Sequence, residues 1–272
     1  MPILSFILYF LTLGIASLGF HKEEPRQATS DWQVLFNGKD LKGWTPKIHH
    51  HEVGDNYANT FRIQDGAIAV NYDGYGEFEN RFGHLFYEKP FSSFHLVWEY
   101  RFTEQFVPTA PSYTYRNSGV MFHSQAPESI LKEQDWPISV EYQMLAREKE
   151  GEARPTGNMC SPGTDIVYQG KIDPRHCIDS ASPTFAWDAW VKAELIVYGD
   201  SIVHHLVNGD TVLTYSFPQV GGGVANRYDP KLKVDGKPLR SGYIGLQSEG
   251  QGVLFRALKI RESSNLPAPS TS

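Results

Sequence analysis

Two neighbouring stretches of the sequence carry polar side chains at spacings that suit acid–base chemistry. The first is NSGVMFH, residues 117–123, and the second is SVEYQML, residues 139–145. Both alternate with a period of two, which is typical of β-strands. Glu141 and Gln143 then share one strand face, about 6–7 Å apart. If the stretches pair, His123 joins them on one polar surface, which is either a ligand site or an ordinary solvent-facing side.

The elements around these stretches are also strand-like and short. Residues 61–70 (FRIQDGAIAV) predict a hairpin that turns at Asp65-Gly66, and Asn208-Gly209 predicts another hairpin turn. Residues 94–102 alternate between a polar face and an aromatic-rich face, the second of which is expected to lie in the core. No segment repeats its apolar residues with the 3.6-residue period that is typical of an amphipathic α-helix. The pattern therefore predicts an all-β, single-domain sandwich or jelly roll of two antiparallel sheets.

Composition narrows the class of protein. The chain has 272 residues, of which 21% are charged and 13% aromatic, which favours a globular β protein over a disordered one. The net charge of −6 comes without any basic run, so we expect no nucleic-acid partner. The phosphate-binding loop, the dinucleotide fingerprint, the HExxH motif and the serine nucleophile elbow are all absent from the sequence.

The ends of the chain differ from its middle. Residues 1–20 are almost wholly apolar and are interpreted as a signal peptide, with an N-terminal membrane anchor as the alternative. Residues 21–30 form a polar linker, residues 31–262 the folded domain and residues 263–272 a polar tail. We therefore expect a periplasmic or secreted protein whose mature chain has no transmembrane domain.

Several residues could bind a metal or form a covalent cross-link. Cys160 and Cys177 are expected to form a disulfide, because both lie in the same loop-like region, with two separate thiols as the alternative. No cofactor is firmly predicted. Residues 146–182 are predicted to form one long loop, whose carboxylates could bind a divalent metal such as Ca²⁺, and the metal ligands remain unknown. The loop carboxylates concerned are Asp165, Asp173 and Asp179. Consecutive side chains usually point apart, so the run of three histidines at residues 49–51 is interpreted as a solvated loop.

Five segments taken together resemble a known family. They are LFNGKDLKGW at residues 35–44, NSGVMFH, SVEYQML, HHLVNGD at residues 204–210 and GYIGLQSEGQGVLFRALKI at residues 242–260. In order and spacing they are similar to the domain once called DUF1080, which is also described as 3-keto-disaccharide hydrolase or 3-keto-glucoside lyase/hydratase. The resemblance covers about residues 32–262.

The resemblance implies a concanavalin A-like β-sandwich whose concave sheet carries the site. It also implies an enzyme that acts on an oxidised saccharide or glycoside, by cleaving a 3-keto-glycoside through elimination, by hydration, or by both in sequence. A ketone at C3 acidifies the C2 proton, so one base and one group that holds the enolate oxygen suffice to expel the substituent at C1.

Within this resemblance, roles can be assigned to particular residues. His123 or His205 is the candidate base, because imidazole titrates near neutral pH. Glu141 is a catalytic candidate that could orient a histidine, bind a metal or accept the proton itself. The candidates for binding the sugar or the enolate are Gln143, Asn158, Gln247, Glu249 and Arg256.

Two other functions fit the same predicted fold. A non-catalytic carbohydrate-binding module would need aromatic platforms and few acid–base groups. An ordinary glycoside hydrolase would place two carboxylates, such as those of Glu141 and Glu249, on either side of the scissile bond.

Overall fold

The computed structural model describes residues 31–262. The predicted signal peptide, the linker at residues 21–30 and the tail at residues 263–272 lie outside the described residues. Within the described range the chain forms seventeen β-strands and three short 3₁₀ turns. The 3₁₀ turns are Tyr57–Asn59, Ser112–Thr114 and Pro127–Ser129.

The strands follow one another along the whole described chain. They are β1 (Gln33–Val34), β2 (Trp44–Ile48), β3 (Phe61–Gln64), β4 (Ala67–Val70), β5 (Gly83–Tyr87), β6 (Ser93–Phe106), β7 (Asn117–Ser124), β8 (Val140–Leu145), β9 (Asn158–Cys160), β10 (Thr164–Tyr168), β11 (Lys171–Ile172), β12 (Cys177–Ile178), β13 (Val191–Tyr198), β14 (Ile202–Val207), β15 (Asp210–Val220), β16 (Tyr243–Ser248) and β17 (Gln251–Glu262). The hairpins expected at Asp65-Gly66 and Asn208-Gly209 are present as β3–β4 and β14–β15.

The strands form two antiparallel sheets. The larger sheet has ten strands, in the order β11-β10-β15-β14-β13-β6-β17-β4-β3, with β1 also pairing with β17. The smaller sheet has seven strands, in the order β12-β9-β8-β7-β16-β5-β2. The two stretches from which the chemistry was predicted, β7 and β8, are therefore neighbours near the middle of the smaller sheet. The predicted all-β sandwich of two antiparallel sheets is confirmed.

The core lies between the inner faces of the two sheets. From β8, Tyr142 and Met144 point inward and meet Trp98 of β6, whose indole nitrogen lies 3.4 Å from the sulfur of Met144. The rings of Trp98 and Tyr142 are 4.8 Å apart in an edge-on arrangement. Burying a side chain of this size contributes roughly 1.5–3 kcal/mol. Because the inner face of β8 is fixed in this way, its alternate residues must face outward.

The long segment at residues 146–182 differs from its expected form. The sequence predicts a loop, whereas the structure contains four short strands there, β9 to β12. Two of them extend the smaller sheet, because β9 pairs with β8 and β12 pairs with β9. Gly, Pro and charged residues in this segment hide the strands from a pattern search, since each strand has at most five residues. The segment thus builds one side of the outward face of the smaller sheet.

Candidate active site

A cavity of about 360 Å³ lies on the outward face of the smaller sheet. Its floor includes Glu141 and Gln143 of β8 and Gln247 of β16, with Glu249 directly after β16. The alternation read from the sequence therefore brings Glu141, Gln143, Gln247 and Glu249 together in one cavity. We call this space the central cavity.

Glu141 owes its position to a glycine on the neighbouring strand. Its carboxyl group lies over Gly119 of β7, where an added Cβ atom would come within 3 Å of the side chain. Only glycine leaves room for the Glu141 side chain in that orientation. Glu141 is only 6% exposed, and burial raises its pKa to about 8. Desolvation penalises the charged form of an acid, so this carboxyl group holds a proton at neutral pH.

Glu249 is the second buried carboxyl group of the central cavity. Burial raises its pKa well above the ordinary value, the nearby Glu141 raises it further, and Arg154 opposes the shift. Its Oε1 atom is buried without a hydrogen-bond partner within the described chain. Two interacting carboxyl groups of this kind titrate as a pair, and the pair retains at least one proton at neutral pH.

Amide side chains surround the two carboxyl groups. The carbonyl oxygen of Gln143 accepts a hydrogen bond from Asn158 Nδ2 at 3.1 Å, which leaves the amino group of Gln143 as its free donor. Asn158 Oδ1 in turn accepts a hydrogen bond from the backbone N–H of Ser180 at 2.9 Å. This bond fixes the Asn158 amide, which then orients Gln143. The amide oxygens of Gln247 and Asn117 are buried without partners within the described residues. Unpaired buried acceptors are costly, and sugar hydroxyls are donors that would satisfy them.

The cationic group of the central cavity is Arg154, which the sequence analysis missed. Its Nη1 donates to the backbone oxygens of Ala146 and Arg116 at 2.9 and 3.1 Å. Its Nη2 lies 2.8 Å from Glu148 Oε1. Burial lowers the pKa of Arg154, but an arginine remains charged at any ordinary pH. The fixed guanidinium thus supplies positive potential at the cavity wall.

The predicted placement of Arg256 in the cleft is wrong. Its side chain lies on the outward face of the larger sheet, where Nε donates to Glu99 Oε2 at 2.7 Å. Its guanidinium also stacks over the ring of Trp190, 3.8 Å from the ring centroid. Arg256 and Glu99 are paired in register between β17 and β6, which explains the contact. Strand alternation alone could not tell which of the two sheets carries this residue.

The predicted placement of His123 on the polar face is also wrong. A register shift between β7 and β16 interrupts the alternation near His123, whose φ of 46° is left-handed. The ring points into the protein, where Nε2 lies 2.9 Å from the backbone oxygen of Gly199. Burial lowers the pKa of His123 to about 4. The sequence around His123 gives no sign of the bulge that moves it away from Glu141.

His205 likewise does not face the central cavity, contrary to its predicted position. It is fully buried between the sheets and stacks on Tyr142, with ring centroids 4.6 Å apart. Nδ1 lies 3.0 Å from Gly157 O and Nε2 lies 2.9 Å from Tyr215 Oη, so both ring nitrogens are occupied. Burial lowers its pKa to about 3, which keeps the ring neutral. This histidine is a satisfied core residue.

Two aromatic side chains and one histidine also line the central cavity, and the sequence analysis assigned a role to none of them. They are Tyr113, Trp136 and His176. Among residues 31–262, His176 is the only histidine in this lining. Tyr113 is 59% exposed, which is unusual for an aromatic ring and fits a stacking surface at the cavity mouth. Their connecting loops carry no periodic pattern, and no signal in the sequence marks Trp136 or His176. Only Tyr113 has a second aromatic residue close by, Tyr115.

A disulfide bond forms part of the cavity wall. Cys160 of β9 and Cys177 of β12 are bonded to each other and both line the central cavity. His176 and the two sulfur atoms lie within 4.8 Å of one another. Because the sulfur atoms are bonded to each other, they are not the thiolates that metal ions prefer.

The loop carboxylates named as possible calcium ligands do not gather at one point. Within residues 31–262, Asp165, Asp173 and Asp179 form no group of converging oxygen atoms. Both oxygens of Asp173 instead accept hydrogen bonds from Arg175, at 2.8 and 2.6 Å. This pairing lowers the pKa of Asp173 to about 2.

Comparison with solved structures defines the class of fold. The chain is similar to a crystal structure of a Bacillus subtilis protein of unknown function with a galectin-like fold, at 14% identity and a TM-score of 0.50, over 85% of this chain and 94% of that one. It is also similar to a structure described as a glycosyl hydrolase from Parabacteroides distasonis, at 17% identity and a TM-score of 0.51, over 85% and 99% of the chains. Together with the two packed sheets, these likenesses define a lectin-like β-sandwich.

Sequence comparison defines the family. Residues 31–261 match the 3-keto-alpha-glucoside-1,2-lyase-like domain, so the chain belongs to that family of carbohydrate-active domains. A curated relative named 3-keto-disaccharide hydrolase, from Bacteroides thetaiotaomicron, is 24% identical in an alignment of 251 residues that covers 84% of this chain and 77% of the relative. The family resemblance read from the five sequence segments is confirmed.

Within residues 31–262, no helix has both the length and the apolar character needed to cross a bilayer.

Proposed function

We propose that this protein cleaves 3-keto-glycosides, using the buried carboxyl pair Glu141 and Glu249 as its acid–base groups. The observation that carries the proposal is that both carboxyl groups are buried in one cavity with strongly raised pKa values. Burial of unpaired acids is costly and concentrates at functional sites. Membership of the 3-keto-alpha-glucoside-1,2-lyase-like family and the name of the curated relative support the substrate class.

The proposed first step is elimination. The reactive form of the pair is the singly ionised one, whose population grows as the pH approaches 8. Its carboxylate takes the C2 proton, and the electron pair of the broken C–H bond spreads into the C3 ketone as an enolate. The enolate then collapses to a C1–C2 double bond and expels the oxygen at C1. The protonated carboxyl group gives its proton to this leaving oxygen. A pair that shares one proton therefore supplies both the base and the acid.

The amide groups and Arg154 hold the sugar in this scheme. The free amino group of Gln143, oriented by Asn158, donates to an oxygen of the oxidised ring. The unpaired acceptor atoms of Asn117 and Gln247 receive hydrogen bonds from hydroxyl groups. The positive potential of Arg154 favours the negative charge that develops on the C3 oxygen.

The proposed second step is hydration of the glycal. Water adds its oxygen to C1 and a proton returns to C2, which regenerates the ketone and gives the free 3-keto-sugar. The carboxyl pair serves again with the roles of the two groups reversed, after the proton taken from C2 has exchanged with water, so the proton that returns to C2 comes from the solvent. Elimination followed by hydration gives the same products as hydrolysis. Because the route needs the C3 ketone, it does not cleave the glycosidic bond of an unoxidised sugar.

The test compares oxidised and unoxidised substrates. A chromogenic 3-keto-glucoside and its parent glucoside are incubated with the wild type, Glu141→Gln and Glu249→Gln. We expect aglycone release from the 3-keto-glucoside alone, and a fall of about 10²–10⁴-fold in kcat for both variants. Glu99→Gln is the matched control, because Glu99 lies on the outward face of the other sheet.

Two results would support other functions. Release of the aglycone from the parent glucoside at a similar rate would identify a two-carboxylate glycoside hydrolase, which Glu141 and Glu249 could also serve. Saturable binding of a saccharide with no product, in the wild type and both variants, would identify a binding module. Either result contradicts the proposed elimination.

A further inference from the structure

Two of the three consecutive histidines form a cluster outside the central cavity. His49 follows the last residue of β2, and its ring stacks on that of His50 with centroids 3.7 Å apart. His50 has a φ of 71°, a left-handed conformation that costs free energy for a residue with a side chain. This backbone turn brings both rings to the same side. The interpretation of residues 49–51 as a solvated loop is therefore wrong for His49, which is buried.

The hydrogen-bond geometry of His49 leaves one ring nitrogen in an unfavourable position. Nδ1 lies 2.8 Å from the backbone oxygen of Asn80, and Nε2 lies 3.1 Å from the backbone oxygen of Glu133. A neutral imidazole carries one proton, so it can donate to only one of these two carbonyl oxygens. With that proton on Nδ1, in the shorter contact, the lone pair of Nε2 faces a second acceptor. A cation bound between His49 Nε2 and the backbone oxygen of Glu133 would remove the repulsion between these two acceptor atoms.

Further ligand atoms converge on the same point. The Glu133 carboxylate oxygen Oε2 lies 2.8 Å from His50 Nδ1. One ligand atom from each of His49, His50 and Glu133 lies within 4.8 Å of the others. Ligands on a tetrahedral ion with bonds of about 2.0–2.2 Å are separated by about 3.4 Å, so small rotations of exposed side chains suffice.

We propose that His49, His50 and Glu133 bind a divalent first-row transition metal. Two imidazole nitrogens, a carboxylate and a backbone oxygen form a donor set that suits zinc, cobalt or nickel better than calcium or magnesium. The contact from His49 Nδ1 to Asn80 O matches the outer hydrogen bond that orients metal-binding histidines.

The remaining coordination positions of such an ion are accessible. His49, His50 and Glu133 line an open groove of about 940 Å³, and Tyr113, Trp136 and Val224 line both this groove and the central cavity. An ion here can therefore keep a water molecule or accept an oxygen ligand from the groove.

The test is a metal titration of the protein without an affinity tag. We expect one equivalent of Zn²⁺ to bind with micromolar or tighter affinity by calorimetry, and Co²⁺ to give visible ligand-field absorption. His50→Ala and Glu133→Gln should each weaken Zn²⁺ binding at least tenfold, and both side chains are exposed enough for the variants to fold. His51→Ala is the matched control, because His51 binds Asp55 instead.

Three outcomes would overturn the proposal. The first is no saturable binding of Zn²⁺ or Co²⁺ up to millimolar concentration. The second is wild-type affinity in both His50→Ala and Glu133→Gln, above all if His176→Ala removes the binding. The third is a nitrogen NMR spectrum of the metal-free protein at pH 7 with protons on both nitrogens of His49, because a protonated ring would satisfy both carbonyl groups by itself.

Discussion

At the scale of single residues, the carboxyl group of Glu141 depends on the absence of a side chain at Gly119. A Cβ atom at that position would occupy the space of the Glu141 side chain. The sequence could predict the face of Glu141 from alternation along β8, but the need for glycine opposite it appears only when the strands are paired. The chemistry of Glu141 is thus set jointly by two strands.

Gly119→Ala is therefore expected to displace Glu141 and to lower kcat/KM for a 3-keto-glucoside by about 100-fold, because a misplaced catalytic group loses most of its effect. Overpacking should also reduce the free energy of unfolding by about 1–3 kcal/mol. Gly76→Ala is the control, since an added Cβ there meets nothing within 4 Å. Activity unchanged in Gly119→Ala would show that the position of Glu141 does not matter for the reaction.

The raised pKa of Glu141 also predicts how its contribution to stability depends on pH. The folded pKa of about 8 lies above the ordinary value of 4.5. The protonated form is favoured in the folded state, so the associated stability is complete below about pH 4.5 and is lost as the pH rises through 8. Relative to the wild type, Glu141→Gln should gain stability between pH 5 and pH 8. Urea denaturation of both proteins at the two pH values measures this difference, and a gain independent of pH would contradict the burial effect.

At the scale of elements, the sequence predicted the strands with strong alternation and missed those that rely on tertiary contacts. The outward and inward faces of β8 follow from its pattern, and Glu141 and Gln143 lie as predicted. The predicted orientation of His123 was wrong because β7 carries an extra residue opposite β16, and this bulge reverses the alternation of side chains. Nothing in the sequence marks a bulge. Arg154 was missed because it lies in the segment predicted as one long loop, where no strand pattern indicates which side chains face the cavity.

A disulfide bond joins the two short strands β9 and β12. The Cys160–Cys177 disulfide closes a segment with a sequence separation of 17 and joins two residues that are paired in register. We expect the double variant Cys160→Ala/Cys177→Ala to lose roughly 3 kcal/mol of unfolding free energy. Since both residues line the central cavity, KM for the saccharide should rise more than kcat falls.

Urea denaturation and steady-state kinetics of the double variant provide the two measurements. Treatment of the wild type with a reductant serves as the control, because it opens the same bond without changing the side-chain volume. Loss of stability with unchanged KM would mean that the wall formed by β9 and β12 does not contact substrate.

At the scale of the whole molecule, buried histidines lower the free energy of unfolding at acidic pH, and buried carboxyl groups lower it at alkaline pH. His84 and His205 have pKa values lowered to about 3 and His123 to about 4, each chiefly by burial. These histidines lose their favourable contribution as the pH falls below about 6.5. Glu141 and Glu249, with raised pKa values, lose theirs as the pH rises.

The unfolding free energy should therefore be greatest between about pH 6 and 7. Unfolding in urea across pH 4.5–9 measures this profile. A maximum at pH 9, or stability that increases steadily down to pH 4.5, would be incompatible with the buried neutral histidines and acids described above.

The most direct test of the proposed function follows the hydrogen at C2 of the sugar. The wild type is incubated with a 3-keto-glucoside in D₂O, and the released sugar is examined by mass spectrometry and NMR. Elimination followed by hydration predicts one deuterium at C2 in the product formed by the enzyme, with Glu141→Gln and the isolated product as controls for slow spontaneous exchange. Aglycone release with the original hydrogen retained at C2 would contradict the account.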